Sequence, residues 1–316
     1  MNRRSFLYSG ALLSLSPLLA EAAGKRNLKT VGIQFFSLPF LLEKDLEKAL
    51  ELLSGIGYRE VELYGPYSFS MPAAQRSWAA VTPALGFSGS GFFGKTTLDM
   101  KSLLKKYHFS VPSMHTDLDT LEQAMGPLAE AANTLGSTYV VLPAIPEGLR
   151  KTLDDYKKMA DRFNQIGAAA KKQGIRFAYH NHGYGLAPME GKIPLELIQA
   201  STDPDTVFFE MDLFWTTAGG ADPIALLEKN KGRYRLMHVK DMDAKVRFTG
   251  DGGNATQWIE LFPHMTTAGN GVLDLKTILP RAKALGVKHF IVEQDMVKDP
   301  ESALKKSFDY LNSLNF

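Results

Sequence analysis

The run Gly57-Tyr58-Arg59-Glu60-Val61-Glu62-Leu63 sets the pattern of the chain. A helical stretch ends on Gly57, and a short β-branched and apolar run follows at once. Glycine supplies the left-handed residue that closes a helix, and an apolar run of this length reads as a buried strand. The same order returns at Gly136-Ser137-Thr138-Tyr139-Val140-Val141-Leu142, at Gly174-Ile175-Arg176-Phe177-Ala178-Tyr179 and at Gly286-Val287-Lys288-His289-Phe290-Ile291-Val292. These glycines are spaced by 79, 38 and 112 residues, which fits two, one and three repeats of about 38 residues, a helix plus a strand. The chain beyond residue 24 holds close to eight such units. That predicts a single (β/α)8 TIM barrel over residues 25–316, a fold whose usual size is ~250 residues.

Strands are expected at 31–36, 60–63, 111–115, 139–142, 176–180, 207–212, 236–239 and 289–293. Helices fall between them, among others at 45–54, 153–172 and 273–285. Asp154 and Asp155 load the first turn of the second of these helices and Lys171 and Lys172 its last, as the helix dipole favours. Two stretches exceed a minimal loop. Residues 65–97 carry Gly86, Gly89, Gly91 and Gly94 around Phe87, Phe92 and Phe93. Residues 241–271 follow the C-terminal end of a strand and are expected over the active face. An open doubly wound sheet is the competing fold; it is disfavoured because no Gly-rich phosphate loop follows the first strand.

Composition narrows the chemistry. The 36 Lys and Arg against 34 Asp and Glu leave a net charge of +2, which argues against nucleic acid as a partner because phosphate binding needs a basic surface. There is no cysteine, so disulfides, thiolate nucleophiles and Cys-ligated metals are excluded, and any metal rests on His, Asp and Glu.

Residues 1–22 read as an export signal. Arg3 and Arg4 precede an apolar run from Phe6 to Ala20 that is short for a membrane span, and Ala20-Glu21-Ala22 forms a small-x-small cleavage site. The paired arginines before Ser5-Phe6-Leu7 match a twin-arginine signal; an ordinary secretory signal is the alternative. The expectation is a periplasmic chain beginning near Ala23, without stable membrane insertion.

Barrel enzymes gather their catalytic groups at the C-terminal ends of the strands. Those ends carry Glu62, His115, His180-Asn181-His182, Glu210-Met211-Asp212, His238-Val239-Lys240-Asp241 and Glu293-Gln294-Asp295. His180, Asp212, His238 and Glu293 stand at the ends of four consecutive strands. They supply two nitrogens and two carboxylates, a donor set for one divalent metal (Mn, Co, Zn, Fe or Mg) with positions left for substrate oxygens. Each residue singly is also compatible with an ordinary hydrogen-bonded strand terminus. His264 lies in a loop that could reach the same face, whereas His108 and His289 look peripheral.

Several of these runs together resemble the xylose-isomerase-like sugar isomerase/epimerase superfamily of TIM barrels. They are residues 57–63, Ala178-Tyr179-His180-Asn181-His182, Glu210-Met211-Asp212-Leu213-Phe214-Trp215, His238-Val239-Lys240-Asp241, residues 269–274 and Val292-Glu293-Gln294-Asp295. An export signal on such a barrel is similar to the secreted branch. The resemblance implies metal ligands at His180, Asp212, His238 and Glu293. Many epimerases of this superfamily carry Glu where this chain has His180, and two Glu residues exchange protons on opposite faces of the substrate. The Tyr-His-Asn-His form resembles instead the branch of inosose dehydratases and lyases that cleave 3-keto-glycosides. Gly183-Tyr184-Gly185 departs from that branch, whose members often carry acidic residues there.

The chemistry expected is removal of a proton α to a sugar ketone, followed by loss of a β-oxygen substituent. Glu293 is the expected base. His182, His115 and Glu62 are candidates for acid or hydroxyl recognition. Lys240 is a candidate for holding an enolate oxygen or a carboxylate, the alternative being a surface Lys paired with Asp241 or Asp243. Trp215 and Phe214 are either sugar-stacking or core rings. Isomerisation or epimerisation at the same metal, and a non-catalytic periplasmic sugar-binding protein, are the competing readings. A nuclease of the endonuclease IV kind needs a richer ligand cluster and a basic groove.

Overall fold

The computed structural model describes residues 30–314; the export-signal reading of residues 1–22 falls outside them. Seven strands come first in the chain: β1 Gly32–Gln34, β2 Glu60–Tyr64, β3 Ser113–His115, β4 Tyr139–Leu142, β5 Arg176–His180, β6 Val207–Asp212 and β7 Tyr234–Val239. A small antiparallel ribbon follows, β8 Asp241–Met242 with β9 Met265–Thr266, and then β10 His289–Val292. The eight long-range strands are parallel and close in the order β1-β10-β7-β6-β5-β4-β3-β2, which is the expected (β/α)8 barrel. Two boundaries moved for visible reasons. The strand expected at 31–36 stops at Gln34, where Phe35–Ser37 turn into a 3-10 segment. β7 begins two residues early, where Tyr234 pairs with Phe209, and Arg235 is accommodated in the strand with its guanidinium over the ring of Phe208 at 5.5 Å.

All four pattern-setting glycines adopt positive φ, from 75° at Gly136 to 126° at Gly57. At Gly57 the need is double, since a Cβ there would also collide with the ring of Phe308. The helix Leu153–Lys172 spans its predicted range. Thr152 and Asp155 form a reciprocal capping box, and Tyr156, Met159, Phe163, Ile166 and Ala170 make the buried stripe against the barrel.

The barrel interior is built in layers, because residues two apart on a strand face the same side. Ala178, Phe208, Leu236 and Ile291, with Tyr139 and Val141, form a closed apolar plug. Two residues further along the same strands stand His180, Glu210, His238 and Glu293, and two further again His182, Asp212, Lys240 and Asp295. Strand periodicity thus stacks two polar layers on an apolar plug at the C-terminal mouth. On the opposite side of the plug His289 pairs with Glu60 at 3.1 Å, which confirms it as peripheral to the mouth.

Candidate metal and catalytic site

Glu62 is fully buried and binds four partners from three strands. It accepts from Gln34 Nε2 at 2.7 Å and from Ser113 Oγ, and it lies 2.5 Å from His238 Nε2 and 3.1 Å from His115 Nε2. Glu210 does the same on the other side, 2.8 Å from His115 Nε2 and 3.0 Å from His180 Nδ1. His238 Nδ1 reaches Glu293 Oε2 at 2.7 Å. Lys240 sits above, buried, 3.1 Å from Asp212, 2.6 Å from Glu293 and 2.8 Å from Asp295.

The charges follow from that packing. Burial disfavours a charge on His115, but Glu62 and Glu210 outweigh it and raise its pKa to about 9. His182 is the reverse: burial and the Lys240 ammonium push it down to about 3, so its ring is neutral. Its Nδ1 lies 2.6 Å from the Pro143 carbonyl, so the Nδ1 proton is donated there and Nε2 is left with a lone pair. Burial also works against a charged Glu293, yet Lys240 and His238 hold its carboxyl far below the usual carboxylate range. Asp295, buried beside the same lysine, is raised to about 7.

Two sets of donor atoms each gather within 4.8 Å: His115, His180, Glu210 and His238, and Asp212, His238 and Glu293. Glu210 Oε1 is buried and accepts no hydrogen bond, and buried Asp212 Oδ2 makes none of good geometry, its nearest cation being the Lys240 ammonium at 3.1 Å. Buried carboxylate oxygens so sparsely satisfied, beside imidazole nitrogens, fit a divalent cation. Above this floor opens a cavity of about 610 Å³, to which Gln34, His115, His180, His182, His238 and Glu293 contribute.

The xylose isomerase-like TIM barrel family matches this chain over residues 50–314. The chain belongs to that family. Inosose dehydratase of Geobacillus thermodenitrificans is 27% identical over 163 residues, 50% of this chain and 52% of that protein. Inosose dehydratase of Clostridium beijerinckii is 30% identical over 94 residues, 29% and 30% of the two chains. The chain therefore spans about half the length, or less, of the curated relatives it matches. Among solved structures, a sugar phosphate isomerase/epimerase from Parabacteroides distasonis superposes with a TM-score of 0.71 at 22% identity, covering 94% of this chain and 98% of the other. The IOLI protein, solved with a zinc atom, gives 0.65 at 16% identity, covering 91% and 99%. At these identities the structures establish the fold.

In this xylose isomerase-like barrel the four expected ligands, His180, Asp212, His238 and Glu293, stand together in the two polar layers. His180 Nε2 and His238 Nδ1 both lie 3.8 Å from Asp212 Oδ2. His115, His182 and Trp215 line the cavity. Other expectations change. Glu62 is not among the cavity-lining residues; it is fully buried against His115 and His238. Lys240 is no surface lysine: it is 2% exposed and paired with Asp212, Glu293 and Asp295, not with Asp241 or Asp243, and it too is absent from the cavity lining. Phe214 is a core ring, fully buried and packed edge-on to Trp215. His264 does not line the cavity and pairs instead with Asp243 at 2.9 Å on the surface.

Sequence reasoning placed Glu210 and Asp295 in the right runs without giving them roles. The signal was present, since each stands two residues from a chosen ligand on the same strand end and so faces the same way. Gln34 had no such signal. Its place becomes visible only where β1 pairs β2 and brings it opposite Glu62.

Proposed function

We propose that the chain is a divalent-metal-dependent enzyme of keto-sugar chemistry, a lyase that removes a proton α to a ketone and eliminates the β-oxygen substituent. The observation that carries this reading is Glu293. It is a charged carboxylate at the cavity floor, held between His238 at 2.7 Å and Lys240 at 2.6 Å, with Asp212 behind Lys240. His180, Asp212, His238 and Glu293 would hold the metal, with Glu210 completing the polar layer beneath. Bound there, a divalent cation supplies Lewis-acid polarisation of a ketone oxygen.

The chain's own residues account for the proton traffic. Glu293 accepts the α-proton. His115, kept protonated between Glu62 and Glu210, donates to the departing oxygen. His182 stays neutral and offers its free nitrogen as an acceptor for a substrate hydroxyl. Lys240 offsets the negative charge gathered by Asp212, Glu293 and Asp295. Trp215 borders the cavity beside His182, with ring centroids 5.9 Å apart, but at 1% exposure and stacked on Phe248 at 5.7 Å it is a core ring that backs the site rather than a platform for a sugar. The names of the inosose dehydratase relatives support this reading, since a dehydratase eliminates a β-oxygen.

The test is deuterium exchange followed by NMR, on metal-loaded protein with a panel of 3-keto-glycosides, inososes and ketoses. The parent should exchange the α-proton and release the β-substituent. Glu293→Gln should lose about 10²–10⁴-fold in exchange, the usual contribution of a general base, and more if it also loosens the metal. Inversion of a stereocentre without elimination would put an epimerase in place of the lyase. Binding of sugars without any exchange by the loaded parent would leave only a binding protein.

A further inference from the structure

Two helices at the cavity mouth carry apolar side chains that pack in part against the core and also line the cavity. Helix Pro72–Leu85, which follows β2, has no buried side chain at all. Its Ala74, Trp78, Val81 and Leu85 lie on one face by helical spacing and line the cavity. Helix Ala255–Leu261, in the segment after β7, contributes Trp258 and Ile259, and Phe262 follows directly. β2 and β7 stand three places apart round the eight-strand ring, so the two helices bracket the mouth from separate sides.

The floor and this outer part differ sharply. His180 and His238 are at most 1% exposed, whereas Val81 is 46% and Ile259 56% exposed. Both tryptophans have spent their single polar atom. Trp78 Nε1 donates to Ser88 O at 2.8 Å, and Trp258 Nε1 donates to Gly252 O at 2.7 Å. What they present to the cavity is carbon. Trp258 is also the link between the two zones, with its ring centroid 4.7 Å from that of His182 on the floor. An unsubstituted sugar, rimmed with hydroxyls, gains little from such walls, because each hydroxyl placed there loses water without gaining a partner. The volume of about 610 Å³ is that of a drug-sized ligand rather than of one sugar ring.

We propose that this outer zone is a subsite for a flat apolar substituent on the sugar, so that the substrate is a keto-glycoside with an aromatic or similarly apolar aglycone. The proposal rests on the keto-sugar reading of the floor. In the elimination the α C–H bond breaks, its proton passing to Glu293 and its electron pair into the enolate. That pair then forms the new C=C bond as the C–O bond to the aglycone breaks, and the aglycone oxygen leaves with a proton from His115. The step involves no oxidant or reductant, since the ketone is already present in the substrate.

The test is calorimetric binding to the full-length folded protein, using 4-nitrophenyl β-glucoside, methyl β-glucoside and 4-nitrophenol as unreactive probes. The nitrophenyl glucoside should bind about tenfold tighter than the methyl glucoside, the order expected of one stacked ring. The double variant Val81→Asp/Ile259→Asp, at exposed positions, should abolish that preference and leave methyl glucoside affinity within about twofold. Should that double variant fail to fold, Val81→Asp alone provides the same readout. Equal affinities of the parent for the two glucosides overturn the proposal, as does a preference that survives these substitutions. So does a parent dimer that the double variant converts to monomer, because the rim would then be a self-association face. Failure of the keto-sugar reading looks different: methyl glucoside does not bind, while 4-nitrophenol binds and loses affinity in the rim variants, which supports the apolar subsite on its own.

Discussion

Glu62 shows how one side chain organises the floor without touching the cavity. Its carboxylate faces two imidazoles, one amide and one hydroxyl, and it has no exposed surface. Glu62→Ala removes the carboxylate shared by His115 and His238, leaving Glu210 beside the first and Glu293 beside the second. Removing one partner of a buried pair costs about 3–5 kcal/mol, so the urea midpoint should fall sharply. Glu62→Gln keeps the shape and the contact with Ser113, and its loss should be smaller. Equal stability of Glu62→Ala and the parent would show that the imidazoles do not depend on this carboxylate. Asp212 differs, since its Oδ1 caps the next helix at Trp215 N while its Oδ2, 3.1 Å from Lys240, sits with His238 and Glu293 within 4.8 Å. It is the residue whose removal should affect metal more than fold.

At the scale of elements, the segment after β7 is held by a single carboxylate. Asp241 accepts from the backbone N–H groups of Met242, Gly269, Gly271 and Leu273, at 2.9 to 3.2 Å. That explains the run at 269–274: a Cβ at Gly271 would collide with this carboxylate, and the backbone must come close. A second clamp comes from Arg150, which stacks on Tyr184 at 4.0 Å and donates to Ile145 O and Gly253 O. Asp241→Ala should release the ribbon and, through it, the helix carrying Trp258. Four charge-assisted hydrogen bonds are lost there, each typically worth ~1.5–3 kcal/mol. Amide hydrogen exchange should accelerate across residues 243–271 while the long helix Leu153–Lys172 stays protected. Uniform acceleration over the whole chain would show that Asp241 supports global rather than local stability.

For the molecule as a whole, the metal is expected to act on stability as well as on chemistry. A ligand at a hundred times its Kd adds about 2.7 kcal/mol if it binds only the folded chain. Stripping with a chelator should lower the unfolding midpoint of the parent, and readdition of Mn, Co or Zn should restore it. Asp212→Ala should fold but show little response to either treatment. A parent midpoint indifferent to metal would remove these residues as a resident site. Residues 1–22 carry a separate proposal of export by the twin-arginine route. The mature chain should begin near Ala23 in the periplasmic fraction, and Arg3→Lys/Arg4→Lys should hold the precursor in the cytoplasm. Unchanged export of that variant would point to an ordinary secretory signal. Among the described residues no helix is long and apolar enough to cross a membrane.

The barrel was legible because its signals are local. Gly57, Gly136, Gly174 and Gly286 each close a helix by a backbone conformation that other residues resist, and the run after each has the length and branching of a buried strand. Strand ends are local too, which is why His180, Asp212, His238 and Glu293 could be chosen from one-dimensional order. What sequence left open depends on neighbours far along the chain. The sequence alone offers Glu62 and Lys240 as substrate contacts, since nothing in a strand's own period says how deep a residue lies. Depth is set by the stagger of eight strands around the ring, which puts Glu62 against His238, 176 residues away. The helix Pro72–Leu85 shows the same limit. An apolar stripe looks alike whether it faces a core or an open cavity, and only the packed barrel decides which of the two it meets.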